Sequence, residues 1–228
     1  MKHLLTVAIG LVAGFAGAGL FALSGLGNAQ TRDYLVTNPD ILPEMARAYQ
    51  AQEARAQLAE VKDEVLAPFA GAVLGNPQGT KTLVKFTDYA CGYCRVSVPD
   101  LDQLIAANPD LRVVVRERVT FANSEPAARM SLAAAQQGKY DAFYHAMFAL
   151  GTPSEEKVEQ AARTAGLDMD AARAFSASEA VTQELIRNDD LAQQLNIPGT
   201  PSWVFEDQVF EGAVGFEDLN KVVNSSEG

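Results

Sequence analysis

Lys81-Thr82-Leu83-Val84-Lys85-Phe86-Thr87-Asp88-Tyr89-Ala90-Cys91-Gly92-Tyr93-Cys94 is an extended apolar run that gives way to two cysteines three positions apart, at the head of a helix-compatible stretch. These are the only cysteines among the 228 residues. A thiolate in the first turn of a helix is stabilised by unpaired backbone N–H groups and by the positive end of the helix dipole, which lowers its pKa. The placement therefore points to thiol–disulfide exchange. Three blander readings stand beside it. A purely structural disulfide between positions i and i+3 closes a very short loop and gains little stability. Half of a zinc site needs four ligands, and only His3 and His145 supplement the cysteines as histidine donors. Two inert buried thiols are the third reading. The order strand, C-x-x-C, helix favours exchange over all three.

Outward toward the N-terminus, residues 1–29 read as an export segment. Lys2 supplies the positive start, and no charged residue occurs over 4–26. Gly27 and Ala29 occupy the −3 and −1 positions of a cleavage site before Gln30, as in a signal peptide. The uncharged stretch exceeds an ordinary signal core and approaches the ~20 residues that span a bilayer, so an uncleaved anchor is the alternative. Export and the cysteine pair support each other, because an oxidising compartment lets a dithiol cycle through its disulfide. The net charge of −11 argues against a nucleic-acid partner.

Residues 30–78 are expected to form an N-terminal helical extension, dominated by one helix over 40–66 with Asp40 as its N-cap and Pro43 in its first turn. Ile41, Met45, Ala48 and Tyr49 form one apolar stripe, and Leu58, Val61, Val65 and Phe69 another. Gln52, Glu53 and Arg55 interrupt the seam. Such a helix suits either a domain surface or an oligomerisation arm. The turn-rich 75–79 segment then opens the catalytic domain, residues 79–228, with a strand over 82–87. A helix over 91–107 kinked at Pro99 follows, then a strand over 111–119. A strand–helix–strand order with a crossover this long implies parallel pairing and a buried α/β core. The segment 124–195 reads as an all-helical insertion, with helices over 126–137, 139–150 and 154–165 and a long one from 170 through 191. Strands over 202–205 and 208–211 form a hairpin through Glu206-Asp207, and a helix over 215–223 closes the chain.

The assembled pattern resembles the DsbA-like branch of the thioredoxin superfamily. The Phe86–Arg95 block looks like that branch's active-site signature, and Ile197-Pro198-Gly199-Thr200-Pro201-Ser202 looks like its cis-proline loop. The segment from Asn38 to Leu42 is similar to the N-terminal part of suppressor-of-copper-sensitivity C proteins. The resemblance implies an α/β thioredoxin fold with an all-helical insertion and an N-terminal helical extension. It implies a cis Thr200–Pro201 bond facing the cysteines, with the Thr200 backbone pairing with an incoming peptide as a short strand. Cys91 would form the mixed disulfide and Cys94 would resolve it. No cofactor is implied, since the electrons reside on sulfur.

The expected partners are exported cysteine-containing proteins, a membrane redox partner and, through the N-terminal helix, further copies of the chain. Gly92-Tyr93 lacks the histidine that lowers a thiol pKa, which inclines the reading toward isomerase or reductase rather than strong oxidase. A Cu(I) carrier using both thiolates is the alternative function. Lys85 departs from the resemblance, standing where the branch more often has an acid. One reading pairs it across the sheet with Glu117, beneath Cys91, where both would tune the thiol; the other lets Lys85 snorkel to a sheet edge.

Overall fold

The computed structural model describes residues 14–15 and 26–225. Of the leader expected over 1–29, only 14–15 and 26–29 are among the described residues. The chain divides into two units, Met1–Gln52 and Glu53–Gly228.

In the first unit, α1 (Leu26–Thr37) begins within the segment expected as leader and runs into the helical extension expected from residue 30, ahead of the helix expected over 40–66. A 3-10 turn, Pro39–Ile41, precedes α2 (Leu42–Leu66), so Asp40 lies inside the turn instead of capping a helix. The turn follows Asn38, whose side-chain amide donates back to the Tyr34 carbonyl at 2.8 Å and so closes α1. Of the stripe expected on this part of α2, Met45 and Tyr49 are exposed.

In the second unit a five-stranded sheet runs in the order β1-β3-β2-β4-β5. Its strands are β1 (Val73–Gly75), β2 (Lys81–Thr87), β3 (Leu111–Glu117), β4 (Ser202–Phe205) and β5 (Gln208–Glu211). β2 and β3 are parallel; β1 pairs antiparallel with β3, β4 with β2, and β5 with β4. The segment 30–78 thus contributes a strand as well as helix. Three residues with a single fully buried side chain carry no alternation that a sequence could reveal; long-range pairing makes β1 a strand.

The crossover from β2 to β3 holds α3 (Gly92–Val96) and α4 (Val98–Ala107). The expected kink at Pro99 is a break two residues earlier, at Ser97, which caps both helices; Pro99 sits in the first turn of α4, where its missing N–H costs nothing. The insertion comprises α5 (Glu125–Gln136), α6 (Tyr140–Leu150), α7 (Glu155–Thr164), α8 (Met169–Ser176) and α9 (Glu179–Gln194). The single helix expected from 170 through 191 is therefore two. Ser178 separates them, its hydroxyl accepting from the Val181 N–H to start α9. α10 (Phe216–Asn224) ends the described fold.

Strand alternation divides the sheet into two chemically different faces. Val84, Phe86, Val114 and Val204 pack on one side with Leu58 and Val65 of α2 and with Leu191 and Leu195 near the end of α9. On this face Arg116 is buried and forms an ion pair with Glu184 at 2.9 Å. Its guanidinium also donates to Asn188 at 3.1 Å and to the carbonyls of Glu64, Val65 and Ala67 at the end of α2. Those carbonyls have no intrahelical donor, so one arginine supplies what the helix terminus lacks. The opposite face carries Leu83, Val113, Val115, Trp203 and Phe205, covered by α3, α4, the insertion and α10. Lys85, Thr87 and Glu117 belong to it by register.

Candidate active site

Cys91 is the N-cap of α3, with extended backbone, and its sulfur accepts from the Cys94 N–H at 3.4 Å. Both cysteines are free thiols. Cys94 is fully buried one turn inside, whereas Cys91 is 5% exposed and reaches the loop before β4. There the Thr200–Pro201 bond is cis, and the Cys91 thiol donates to the Thr200 carbonyl at 3.1 Å. The structure thus brings together Cys91, Cys94, Thr200 and Pro201, the four residues expected to form the site. Tyr93 and Val96, exposed on α3, give its rim an apolar character.

The two thiols are polarised in opposite directions. A hydrogen bond from the Cys94 thiol does most to hold Cys91 down, to about 5. The N–H groups of Cys94 and Tyr93 and the Thr200 side chain reinforce this against the cost of burial. Cys94 is pushed far above the ordinary thiol range, first by burial and then by sharing its proton with Cys91. At neutral pH the outer sulfur is the nucleophile and the inner one holds the proton. Local N–H groups and the partner thiol achieve this with no histidine between the cysteines.

Lys85 and Glu117 do not pair. Lys85 is fully buried on β2, the middle strand, so it reaches no sheet edge either. Its ammonium donates to Tyr144 Oη at 2.7 Å and to Ser97 Oγ at 3.0 Å, and lies 5.0 Å from the centre of the Trp203 ring. Register explains the missing pair: Lys85 lies opposite Val115, while Glu117 lies opposite Thr87, one residue pair further along the same face. Burial lowers the Lys85 pKa to about 8, and the nearby Cys94 sulfur and Glu117 carboxylate partly restore it. Ser97 in turn donates to the Cys94 carbonyl at 2.8 Å, so the ammonium supports the buried cysteine through one hydroxyl.

Glu117 Oε1 instead accepts from Tyr140 at 2.6 Å, Ser131 at 2.8 Å and Tyr89 at 3.0 Å. Burial pushes its carboxyl up to about 7. Tyr140, Tyr144 and Ser131 come from the insertion and have no local signal near the cysteines. The four-residue spacing of Tyr140 and Tyr144 is the one hint, since it places both on the same helix face.

Asp88 is buried and plays a structural part beside the nucleophile. Its carboxylate accepts from the N–H groups of Ala90 at 2.7 Å, Thr120 at 2.7 Å and Phe121 at 3.1 Å, and from Ser124 Oγ at 2.9 Å. The turn before Cys91 is thereby tied to the loop after β3. His145 lies away from the thiols, half-exposed, with Nε2 2.9 Å from Asp102. Among the described residues no group of three or more His, Cys, Asp or Glu side chains is arranged to hold a metal ion.

Comparison with known proteins agrees with this geometry. Residues 117–224 match the DSBA-like thioredoxin domain, and residues 29–56 match the copper resistance protein ScsC N-terminal domain. A thioredoxin-like oxidoreductase from Silicibacter pomeroyi DSS-3 is 39% identical, with 72% of this chain and 96% of that chain aligned and a TM-score of 0.68. Proteus mirabilis ScsC in a transitional conformation is 26% identical over 87% of this chain and 92% of its own, with a TM-score of 0.67. A Na(+)/H(+) antiporter NhaA from Herminiimonas arsenicoxydans is 28% identical over 176 residues, 76% of this chain; the chain spans only 28% of the length of that curated relative. With a cysteine pair capping α3, a cis proline against its sulfur and a helical insertion between the parallel and antiparallel parts of the sheet, the chain belongs to the DsbA-like thioredoxin-fold family of thiol–disulfide oxidoreductases.

Proposed function

We propose that this protein is exported and exchanges disulfides with other exported proteins through Cys91 and Cys94, working as an isomerase or reductase more than as a strong oxidase. The observation that carries the exchange reading is the placement of Cys91, whose sulfur lies 3.4 Å from the Cys94 N–H at the start of α3 and 3.1 Å from the Thr200 carbonyl of the cis-proline loop, with Cys94 buried behind it; the lean toward isomerase or reductase rests on the Gly92-Tyr93 dipeptide between the cysteines. An ionised Cys91 attacks a mispaired disulfide directly; a protonated Cys94 waits and then resolves the adduct. The Thr200 carbonyl lies 3.1 Å from the Cys91 sulfur, and ionisation of that sulfur leaves the carbonyl without a donor. It can then accept an N–H from the client backbone, a mode of binding indifferent to sequence. Exposed Tyr93 and Val96 suit clients with apolar segments in view. A membrane redox partner would reset the pair. No helix among the described residues is long and apolar enough to cross a membrane.

Refolding of scrambled ribonuclease, reduction of insulin and the Cys91/Cys94 reduction potential test the direction together. The expected result is activity in the first two assays and a potential well below the roughly −120 mV of a dedicated strong oxidant. A potential near that limit with no isomerase activity would overturn the preference.

A Cu(I) carrier is the second reading, supported by the paired sulfurs and by the copper-resistance description of the domain matched over 29–56. Cu(I) would be cargo here, and titration of the reduced protein with Cu(I) in competition with a chelator decides it.

The exposed Met45 and Tyr49 support the further proposal that residues before Glu53 join copies of the chain. Light scattering is expected to show an oligomer for the full chain and a monomer once residues 26–52 are removed; equal monomer masses would end that idea.

A further inference from the structure

Arg95 directly follows the buried cysteine, and it is the one arginine among the described residues whose side chain makes neither a hydrogen bond nor an ion pair. Every other described arginine meets at least one protein oxygen. The Arg95 Nε is buried as well as unpaired. A donor of a charged group held in this way is rare in a folded chain, because it forgoes both water and a protein acceptor.

The backbone accounts for its position. The Arg95 N–H bonds to the Cys91 carbonyl at 3.2 Å, so Arg95 lies one helical turn below Cys91, about 6 Å along α3. Exposed Tyr93 and Val96 flank it. The side chain extends to the C-terminal end of α6, where Nη1 lies 3.7 Å from the position that a Cβ on Gly151 would take. Gly151 closes α6 with a φ of 81°, a conformation that side chains avoid, so the guanidinium rests against bare backbone. The negative end of the α6 dipole favours a cation there while leaving its N–H groups uncommitted.

This charge runs against the rest of the chain. With a net −11 the protein as a whole repels anions, so an anion at the active site needs a local cation. Lys85 is buried and bonded to Tyr144 and Ser97, and Arg118 is held by Asp189 and the Ile197 carbonyl. Arg95 alone among these three has donors to offer.

We propose that Arg95 selects clients whose disulfide is flanked by an acidic residue, holding that carboxylate against α3 while Cys91 attacks. The proposal rests on the exchange reading and names the substrate class of that site. Guanidinium and carboxylate meet as a two-pronged pair, so the contact orients the client as well as attracting it. In the covalent step Cys91 bonds to one client sulfur, and the other leaves with the electron pair and takes a proton from solvent. Cys94 then displaces the first sulfur, leaving the Cys91–Cys94 disulfide and two client thiols.

The test mixes the full, reduced chain with disulfide-linked dimers of a short blocked peptide in which the residue after cysteine is Glu, Gln or Lys. Acid quench and mass measurement follow the reaction. Each rate is divided by the rate at which dithiothreitol reduces the same dimer, which removes differences among the leaving thiols. The parent protein is expected to take the Glu dimer about tenfold faster than the Lys dimer, with Gln between them and the ratio shrinking as salt rises. Arg95→Met brings the Glu-to-Lys ratio to unity or below, as a net charge of −11 dictates once the local cation is gone. Arg95→Lys keeps the charge and most of the preference. A parent protein with no preference for the Glu dimer overturns the proposal without any variant, and so does a preference that survives in Arg95→Met. A parent protein that reacts with none of the dimers overturns the exchange reading itself, and the proposal with it.

Discussion

Cys94→Ala turns the protein into a trap: Cys91 still attacks, nothing resolves the product, and covalent adducts with client proteins accumulate on non-reducing gels. Cys91→Ser removes the attacking sulfur and lowers turnover on the order of 10³-fold or more. In the parent protein, alkylation of Cys91 is expected to titrate near 5 and to be at its plateau by neutral pH. Because the Cys94 thiol is the first cause of that low value, Cys94→Ala moves the titration of Cys91 up toward the ordinary thiol value of 9.0. Lys85→Met withdraws a buried ammonium from the neighbourhood and raises it by roughly one further unit. An unchanged Cys91 titration in both variants would refute this account of the site.

The same depression ties stability to pH. The folded, reduced chain binds fewer protons at Cys91 than the unfolded chain, so this contribution is complete above about 9 and is lost as the pH falls through about 5. The disulfide form has no such contribution. Reduction therefore raises the melting temperature relative to the oxidised protein at pH 8 by more than at pH 4.5.

The second large effect lies on the opposite face. Arg116→Met leaves Glu184 buried with only Arg187 at 2.9 Å and strips donors from the carbonyls of Glu64, Val65 and Ala67. Breaking a buried pair on one side costs about 3–5 kcal/mol. For a chain of this size that corresponds to a melting temperature lower by on the order of 10 °C. Adding Glu184→Leu should recover part of the loss, because the uncompensated carboxylate goes with it. Calorimetry on the single and double variants checks both statements, and a loss below about 1 kcal/mol would show that the clamp contributes little beyond a surface pair.

What the sequence discloses follows from the range of the interactions. β2, the β4–β5 hairpin and the Cys91–Cys94 pair rest on neighbours in the chain, and their positions are legible almost to the residue. The Thr200–Pro201 loop is legible through resemblance, since nothing in its own residues demands the conformation it adopts. β1 exists because of β3, some 40 positions away, and escapes any local reading. The partner of Lys85 escapes for the same reason: Tyr144 is 59 positions distant and belongs to a helix whose aromatic residues look like ordinary core. Pairing by charge suggests Glu117, but the two residues are offset by one pair along the strands, and the ammonium is met by the hydroxyls of Tyr144 and Ser97. The break between α8 and α9 was available in principle, as Ser178 followed by Glu179 is an ordinary helix opening, yet the alanines around it extend a helical pattern across the join.

The brevity of the two outermost strands bears on how such a protein survives its own work. Clients that arrive half-folded bring unsatisfied strands, and a long bare border would zip onto them and grow into aggregate. Here one border is the three residues of β1 and the other the four of β5, whose end positions Gln208 and Glu211 are polar and open to water. Neither offers enough ladder to hold a guest. Along both borders of the sheet, sticky polypeptide therefore finds little to zip onto.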